Sequence, residues 1–238
     1  MPEQFQRTAL LLGAEAMDRL QGLRVIVFGV GGVGGWCVEA LVRSGVGHVC
    51  MVDGDCVDVS NINRQLPATI GTVGQPKVEV MRRHLLDINP QAEITARQER
   101  YTAQTADTFH LDDYDYVVDA IDSLSDKALL IRRATQSRAR LLSSMGAARK
   151  TDPTQIAVAE FWQVKGCPLA AALRRMFRRS GEFPARKFRC VYSPELHANA
   201  GEADIDMSSE QKEPNGTLMH CTAIFGLLLA AEVIKGET

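Results

Sequence analysis

The sequence predicts an α/β fold: a Rossmann-like, doubly wound, mostly parallel sheet with helices on both faces. The first evidence is an apolar stretch at residues 25–28 that runs directly into Gly29, Gly31 and Gly34, spaced G-x-G-x-x-G. A second strand pattern ends at Asp53, about twenty residues farther on, where this motif carries its acidic residue. Strand and helix patterns then alternate, which is typical of a parallel sheet whose ligand site lies at the carboxyl ends of the strands.

The individual elements follow from hydrophobic periodicity and from helix stop signals. Gly45 suits the C-terminal cap of the helix after the glycine motif, and Pro90 ends a later amphipathic helix. Strands are predicted at residues 24–28, 48–52, 93–98, 114–120 and 141–144. Helices are predicted at residues 7–20, 33–44, 76–88, 126–137 and 168–180, with a further buried helix at 223–234. The uneven polar stretch 193–215 is predicted to be a mobile loop.

Composition limits the classes of protein that the chain can form. Its 238 residues fit a single domain (1–238), and 45% hydrophobic with 24% charged residues is typical of an ordinary globular protein. A net charge of −2 provides no global attraction to nucleic acid or membrane. No apolar run reaches membrane-spanning length, and we find no secretion signal. None of the six cysteines forms a C-x-x-C pair, so we expect no structural zinc and a cytoplasmic location.

The glycine motif predicts a nucleotide-binding turn. Gly29 permits a tight turn, Gly31 permits close approach of the backbone to a phosphate, and Gly34 permits close helix packing, with Gly32 in the same turn. The N-terminus of the following helix supplies N–H donors and partial positive charge. Asp53 is the predicted acceptor for ribose hydroxyls.

Polar residues after the second strand indicate which nucleotide binds. They are Asp55, Asn61, Arg64, Gln65 and Lys77. The arginine can hold phosphate oxygens as a fork and the lysine can act as a point charge, which favours a polyphosphate such as ATP over a dinucleotide.

Two carboxylates close the buried strand pattern at 114–120. Asp119 and Asp122 are therefore expected at the ligand edge of the sheet. Carboxylates there suit the Mg²⁺ that accompanies ATP. We favour Asp122 as the metal ligand and interpret Asp119 as structural or assisting.

These motifs, in this order, resemble the adenylating domain of the ubiquitin-activating-enzyme-like (ThiF/MoeB/HesA) superfamily. The matching segments are GVGGVG, VDGD, NINRQ, QPK and DAID. The resemblance implies an enzyme in which a carboxylate attacks the α-phosphate of ATP. It assigns ribose to Asp53, phosphates to Asn61, Arg64, Gln65 and Lys77, and Mg²⁺ to Asp122. Arg7 aligns with an arginine that reaches the ATP site of a dimer partner, although Gln4 replaces the first arginine of that motif.

Arg7, Arg64, Lys77 and Asp122 are accordingly the predicted catalytic residues, and a homodimer is the predicted assembly. Whether a monovalent cation also binds near the site stays open.

Later segments narrow the resemblance to one branch. Residues 144–156, 167–181, 189–195 and 215–226 are similar to the tRNA threonylcarbamoyladenosine dehydratase branch. That branch uses ATP to activate a threonyl carboxylate on a modified adenosine beside the anticodon, and a ring then closes with loss of water. The alternative is an adenylyltransferase that activates the C-terminus of a ubiquitin-like sulfur-carrier protein. In that case the partner of this protein would be a carrier or sulfur-transfer protein. A third hypothesis is an NAD-dependent oxidoreductase or a non-catalytic nucleotide sensor. Arg64 and Lys77 argue against NAD as the nucleotide.

A basic segment supports a tRNA partner independently of the resemblance. Residues 165–189 hold eight Lys or Arg and one acid, Glu182. Lys187 lies after the predicted helix 168–180. Within that helix the apolar residues share one face. The opposite face carries Arg174, Arg175, Arg178 and Arg179. We therefore predict nucleic-acid contact along this helix, and a basic helix with a mobile crossover loop over 165–220.

The cysteines offer one further catalytic hypothesis. Cys37, Cys50 and Cys221 are expected as small buried apolar residues. Cys190 follows Arg189, and this neighbour predicts a depressed thiol pKa and leaves a catalytic role open.

Overall fold

The computed structural model describes residues 2–201 and 215–238 and contains one seven-stranded sheet. The strands are β1 (Arg24–Phe28), β2 (His48–Val52), β3 (Glu93–Arg97), β4 (Tyr116–Asp119), β5 (Arg140–Ser144), β6 (Ala157–Glu160) and β7 (Arg189–Tyr192). Their order across the sheet is β3-β2-β1-β4-β5-β7-β6. All neighbours pair in parallel except β6, which pairs antiparallel to β7 at the edge. The predicted doubly wound, mostly parallel sheet is confirmed.

The five predicted strands all occur, and β1 and β2 have the predicted bounds. Both are short apolar runs with two valines each that are buried on both faces, which produces a strong local signal. We did not predict β6 and β7. Each has only four residues, and β6 is partly exposed, so neither produces a long apolar run.

Helices cover both faces of the sheet. They are α1 (Gln6–Leu12), α2 (Ala14–Gly22), α3 (Gly34–Arg43), α4 (Lys77–Ile88), α5 (Leu124–Gln136), α6 (Pro168–Ser180) and α7 (Met219–Lys235). The central α3 packs on α7 and on α4, and α5 packs on α6 across the other face. Two separate apolar clusters, one on each side of the sheet, form the core.

The single helix predicted at residues 7–20 is wrong. Gly13 has φ 83° and separates α1 from α2. Leu10 and Leu11 of α1 are 82% and 83% exposed. A positive φ ends a helix, so α1 and α2 are separate helices. Ala9 and Leu12 of α1 pack against the core, whereas Leu10 and Leu11 face outward.

The predicted mobile loop at 193–215 lies largely outside the described residues, at 202–214. Its beginning is anchored by the carboxylate of Glu195, which accepts hydrogen bonds from the hydroxyl and amide of Thr151 and from the amide of Asp152. Hydrogen bonds, chiefly from Thr151, lower the pKa of Glu195 to about 2. Within 2–201 and 215–238 no helix combines the length and apolarity that a membrane crossing requires.

Candidate active site

A cavity of about 810 Å³ opens at the carboxyl edge of the sheet. It lies between the turn after β1 and the loop after β4. These two strands are neighbours in the sheet, and from them the chain continues toward opposite edges, to β2 and to β5. Such switch points are the usual ligand sites of open α/β sheets. The predicted site residues that line it are Gly29, Gly31, Gly32, Asp53, Asp55, Arg64, Gln65, Lys77 and Asp122.

Two glycines of the turn are required by close backbone packing. Gly29 has φ 87°, and a Cβ there would lie 2.7 Å from the carbonyl oxygen of Ala120. A Cβ on Gly34 would lie 1.8 Å from the carbonyl oxygen of Gly29, so no side chain fits. Gly34 does not line the cavity but allows α3 to start directly beneath the turn, the packing role that its spacing predicted.

Asp53 holds the nucleotide-binding turn in shape. One carboxylate oxygen accepts the N–H of Val30 at 2.7 Å, and the other accepts the N–H of Asp55 at 2.9 Å. A carboxylate has about four acceptor positions, so both oxygens retain capacity for ribose hydroxyls. The same side chain can therefore order the turn and accept hydrogen bonds from a ligand.

Lys77 is the buried cation of the site. It begins α4 immediately after Pro76, its side chain is 7% exposed, and its Nζ lies 3.2 Å from a carboxylate oxygen of Asp55. Arg100 pairs with the other oxygen of Asp55 at 2.7 Å. Burial acts to raise the pKa of Asp55, but the charges of Lys77 and Arg100 outweigh it and hold that pKa below its ordinary value. Two cations of the cavity, Lys77 and Arg100, therefore share the carboxylate of Asp55.

Arg64 and Gln65 follow a short 3₁₀ helix and face the cavity together. The Arg64 guanidinium donates to the carbonyl oxygen of Ser60 and to Oδ1 of Asn63, each at 2.9 Å. Burial lowers the Arg64 pKa, and the nearby charge of Asp122 opposes that shift. Oε1 of Gln65 is buried and has no hydrogen-bond partner among the described residues. An unsatisfied acceptor of this kind fits a site that a polar ligand completes.

Asn61, to which the resemblance assigns phosphates, does not line the cavity. Its Oδ1 accepts the N–H of Asp58 at 3.2 Å, and its Nδ2 donates to Ser60. Asp58 in turn accepts the N–H of Ser60, which completes a capping box around the 3₁₀ helix Val59–Asn61. The side chain of Asn61 therefore shapes the segment that carries Arg64.

The two carboxylates after β4 have different surroundings. Asp119 is fully buried and accepts hydrogen bonds from Ser143 Oγ at 2.6 Å and from the Ile121 N–H at 3.1 Å, with Lys127 Nζ at 2.9 Å. Asp119 is therefore structural. Asp122 is exposed on the cavity wall, and no described residue donates a hydrogen bond to it.

Carboxylates of the cavity wall could hold Mg²⁺ together with the phosphates of a ligand. Among the residues that the structure describes, no three His, Cys, Asp or Glu side chains are grouped to hold a metal ion. Mg²⁺ typically binds one or two carboxylates together with substrate phosphates, and Asp122 with the adjacent Asp126 on the cavity wall fits that pattern.

Several cavity residues were not found from the sequence. Arg100 and Tyr101 come after β3, and the carboxyl end of that strand was an available signal. Met145 and Thr217 belong to segments without a glycine motif or charge cluster, so no local pattern distinguished them. Arg7 is exposed on α1 and does not line the cavity.

The basic helix α6 has the predicted bounds, but Arg174 is not on its solvent face. Its guanidinium is half-buried, donates to the Phe161 carbonyl oxygen at 3.0 Å and lies 5.7 Å from the Phe161 ring centroid. Two other basic residues of the segment are also structural: Arg186 caps the end of α5, and Arg189 pairs with Glu232 at 2.7 Å. The basic residues that remain exposed, with no partner in the described part of the chain, are Lys165, Arg175, Arg178, Arg179 and Lys187.

The predicted depressed pKa of Cys190 is wrong. Its thiol is fully buried in β7 and faces the carbonyl oxygen of Ala159, and burial raises its pKa to about 12. Arg189 points instead to Glu232, because successive side chains of a strand alternate between faces. Cys37, Cys50 and Cys221 are buried as predicted.

The fold and the site define a Rossmann-like nucleotide-binding protein whose cavity is lined by three cations, Arg64, Lys77 and Arg100. The chain belongs to the ThiF family, whose family model matches residues 5–236. The predicted superfamily is thereby confirmed.

Curated relatives from two branches of the family are similar to this chain, and the dehydratase relative covers more of it. A tRNA threonylcarbamoyladenosine dehydratase of Bacillus subtilis is 44% identical over 181 residues, which are 76% of this chain and 71% of that protein. The crystal structure of the Escherichia coli tRNA N6-threonylcarbamoyladenosine dehydratase in complex with ATP has a TM-score of 0.87 at 32% identity, covering 99% of this chain and 93% of that one. A sulfur carrier protein adenylyltransferase of Thermus thermophilus is 37% identical over 130 residues, 54% of this chain and 48% of that protein.

Proposed function

We propose that this protein is an adenylating tRNA dehydratase that uses ATP to cyclise threonylcarbamoyladenosine beside the anticodon. The single observation that carries the proposal is the cavity that the glycine turn and Asp53 line together with the cations Lys77 and Arg64. The ATP-bound dehydratase structure is similar to this chain over 99% of its length, which supports the same assignment.

In the first step a threonyl carboxylate oxygen attacks the α-phosphorus of ATP. The bond from that phosphorus to the bridging oxygen of pyrophosphate breaks, and an acyl adenylate forms. Negative charge accumulates on the departing pyrophosphate, so a fixed cation contributes most at that moment. Lys77 is held in place by Asp55, and Arg64 presents a fork for phosphate oxygens.

The second step closes the ring. The ureido nitrogen or oxygen of the same nucleoside attacks the acyl carbon, AMP leaves and one proton is released. The oxygen of the lost water departs within AMP, so the reaction consumes ATP although it is formally a dehydration. Because the nucleophile belongs to the substrate, the chemistry requires no cysteine thioester, in agreement with the buried Cys190.

We also propose that Asp122 holds Mg²⁺ together with phosphate oxygens. The ion would neutralise phosphate charge during attack. Asp122 supports the proposal because its carboxylate is exposed to the cavity and accepts no hydrogen bond from the described residues. A cytoplasmic location is proposed on the basis of the six unpaired thiols, all within the described residues.

We propose a homodimer in which Arg7 reaches the partner's cavity. Arg7 is exposed, it lies outside its own cavity, and it stands on a helix whose Leu10 and Leu11 face outward. Apolar residues this exposed are suited to burial at an interface.

Complementation tests whether Arg7 acts across the dimer. Arg7→Ala and Lys77→Met should each lose most activity as homodimers, whereas a refolded mixture should regain up to about a quarter of the parent rate. In a mixed dimer one cavity retains its own Lys77 and receives Arg7 from its partner. Steady-state turnover of the mixture is the measurement. A mixture that is no more active than the two variants separately would exclude action in trans.

The alternative, activation of a sulfur-carrier protein, has partial support. The Thermus thermophilus relative covers only about half of this chain, and the basic residues of α6 have no evident use in that reaction.

Mass spectrometry separates the two functions. The protein is incubated with ATP and tRNA that contains threonylcarbamoyladenosine, and the nucleosides are then analysed. We expect loss of one water from that nucleoside, and pyrophosphate release that requires tRNA. Unchanged nucleoside, with pyrophosphate release only when a carrier protein is added, would refute the proposal in favour of the alternative.

A further inference from the structure

Two exposed aromatic rings lie beside the C-terminal end of α6. Trp162 is 36% exposed and Phe183 is 50% exposed, and their ring centroids are 6.2 Å apart. Trp162 belongs to the 3₁₀ helix Phe161–Gln163, and Phe183 follows Gly181, which caps α6. Segments on both sides of α6 in the chain thus present rings at one place on the surface.

The Trp162 ring is held by a buried aromatic cluster. Phe161 is fully buried, and its ring contacts those of Trp162, Phe177 and Phe188 at centroid distances of 5.1, 6.0 and 4.9 Å. Arg174 fixes the same segment through its hydrogen bond to the Phe161 carbonyl oxygen. A ring supported in this way can receive a ligand with little loss of conformational entropy.

The surface beside the rings is positively charged. Arg175, Arg178 and Arg179 are exposed on the second half of α6 and have no partner among the described residues. The one acid of the segment, Glu182, pairs with Arg132 of α5 and so does not neutralise them. Aromatic rings next to cations are the typical arrangement for single-stranded nucleic acid, whose bases stack while its phosphates contact arginine.

Helix α6 connects this surface with the active site. Leu169, in its first turn, lines the nucleotide cavity. The helix has 13 residues, which at about 1.5 Å each gives about 20 Å. At about 3.4 Å per phosphate of a stacked strand, this length accommodates about six nucleotides, the scale of an RNA loop.

We propose that Trp162 and Phe183 form a stacking platform for an unpaired base of the anticodon loop while another nucleotide of that loop occupies the cavity. The proposal rests on the proposed function and names how the same site holds its RNA. The platform contributes affinity and loop orientation, and its residues take no part in the chemistry.

Removal of both rings tests the platform without changing any charge. The variant Trp162→Leu/Phe183→Leu should bind an anticodon stem-loop RNA about tenfold more weakly at every salt concentration, because stacking contributes in this range. The slope of log affinity against log salt should not change. Affinity for a fully paired RNA duplex should also stay constant, because its bases are not accessible. Phe183→Leu alone is the second variant, since Phe183 lies outside α6 and is half exposed.

Two further comparisons isolate the effect. Arg175→Gln/Arg178→Gln should reduce the salt slope and weaken binding of both RNAs, whereas Ile70→Ala, at another exposed apolar residue, should change neither. At saturating tRNA the ring variant should keep the parent's turnover number and show only a raised KM.

Three results would overturn the proposal. In the first, both ring variants bind the stem-loop as tightly as the parent protein does. In the second, they lose affinity for the stem-loop and for the duplex equally. In the third, they lose the binding of a protein partner but keep the binding of RNA. Each differs from failure of the proposed function, in which the parent protein itself would remove no water from tRNA.

Discussion

Lys77→Met should reduce adenylation by about two to three orders of magnitude, the usual effect of removing one preorganised charge from a developing anion. Lys77 is the buried cation of the cavity, and its Nζ lies 3.2 Å from Asp55. Methionine keeps the length of the side chain but cannot offset the charge that accumulates on pyrophosphate. The measurement is tRNA-dependent pyrophosphate release at saturating ATP.

A matched control lies on the same helix. Arg83→Met removes a cation from α4 at a position away from the cavity, and it should leave the rate unchanged. Thermal unfolding of both variants checks that the fold is intact. If Lys77→Met kept more than about a tenth of the Arg83→Met rate, Lys77 would not be the phosphate cation, and the mechanism would lose its principal residue.

Lys127→Met should lower the free energy of unfolding by about 3–5 kcal/mol, the cost of leaving one member of a buried ion pair without its partner. The side chains of Lys127 and Asp119 are both fully buried, with Nζ and Oδ2 2.9 Å apart, and Nζ also donates to the Ile121 carbonyl oxygen at 2.9 Å. This pair ties α5 to the loop that carries Asp122, so its loss should also reduce activity. Urea unfolding gives the stability through the midpoint and the slope.

A double variant distinguishes charge burial from simple loss of packing. Asp119→Asn/Lys127→Met removes both charges and should recover part of the lost stability, because no uncompensated ion then remains buried. The exposed Lys165→Met should stay within about 0.5 kcal/mol of the parent. A single variant as stable as that control would show that the pair does not stabilise the fold. A double variant no more stable than the single would attribute the loss to packing rather than to an uncompensated buried charge.

The sequence was most informative where structure depends on neighbouring residues. The strands β1 and β2, the turn at Gly29–Gly34 and α6 were predicted to within a residue, since apolar runs, glycine spacing and helix caps are local patterns. The helix break at Gly13 was missed because a glycine inside an apolar period does not by itself indicate a positive φ.

The direction of individual side chains was less predictable. Asn61 and Gln65 occur in the same motif, yet Asn61 closes a capping box while Gln65 faces the cavity. Arg174 was expected in solvent, but it donates to Phe161, 13 residues earlier, because β7 and the loop after α6 bring an aromatic cluster beneath the helix. Such choices depend on contacts between distant segments.

The sequence by itself determined five of the seven strands, the nucleotide turn and most of the polar residue types around the cavity, because each has a short-range pattern. Only the tertiary structure decided which of those residues meet. It showed that Lys77 and Arg100 share Asp55, that Asp119 is paired with Lys127, and that Trp162 stands beside Phe183. The physical reason is that burial, pairing and orientation are properties of the packed chain, and residues far apart in sequence acquire them together when the sheet and its helices assemble.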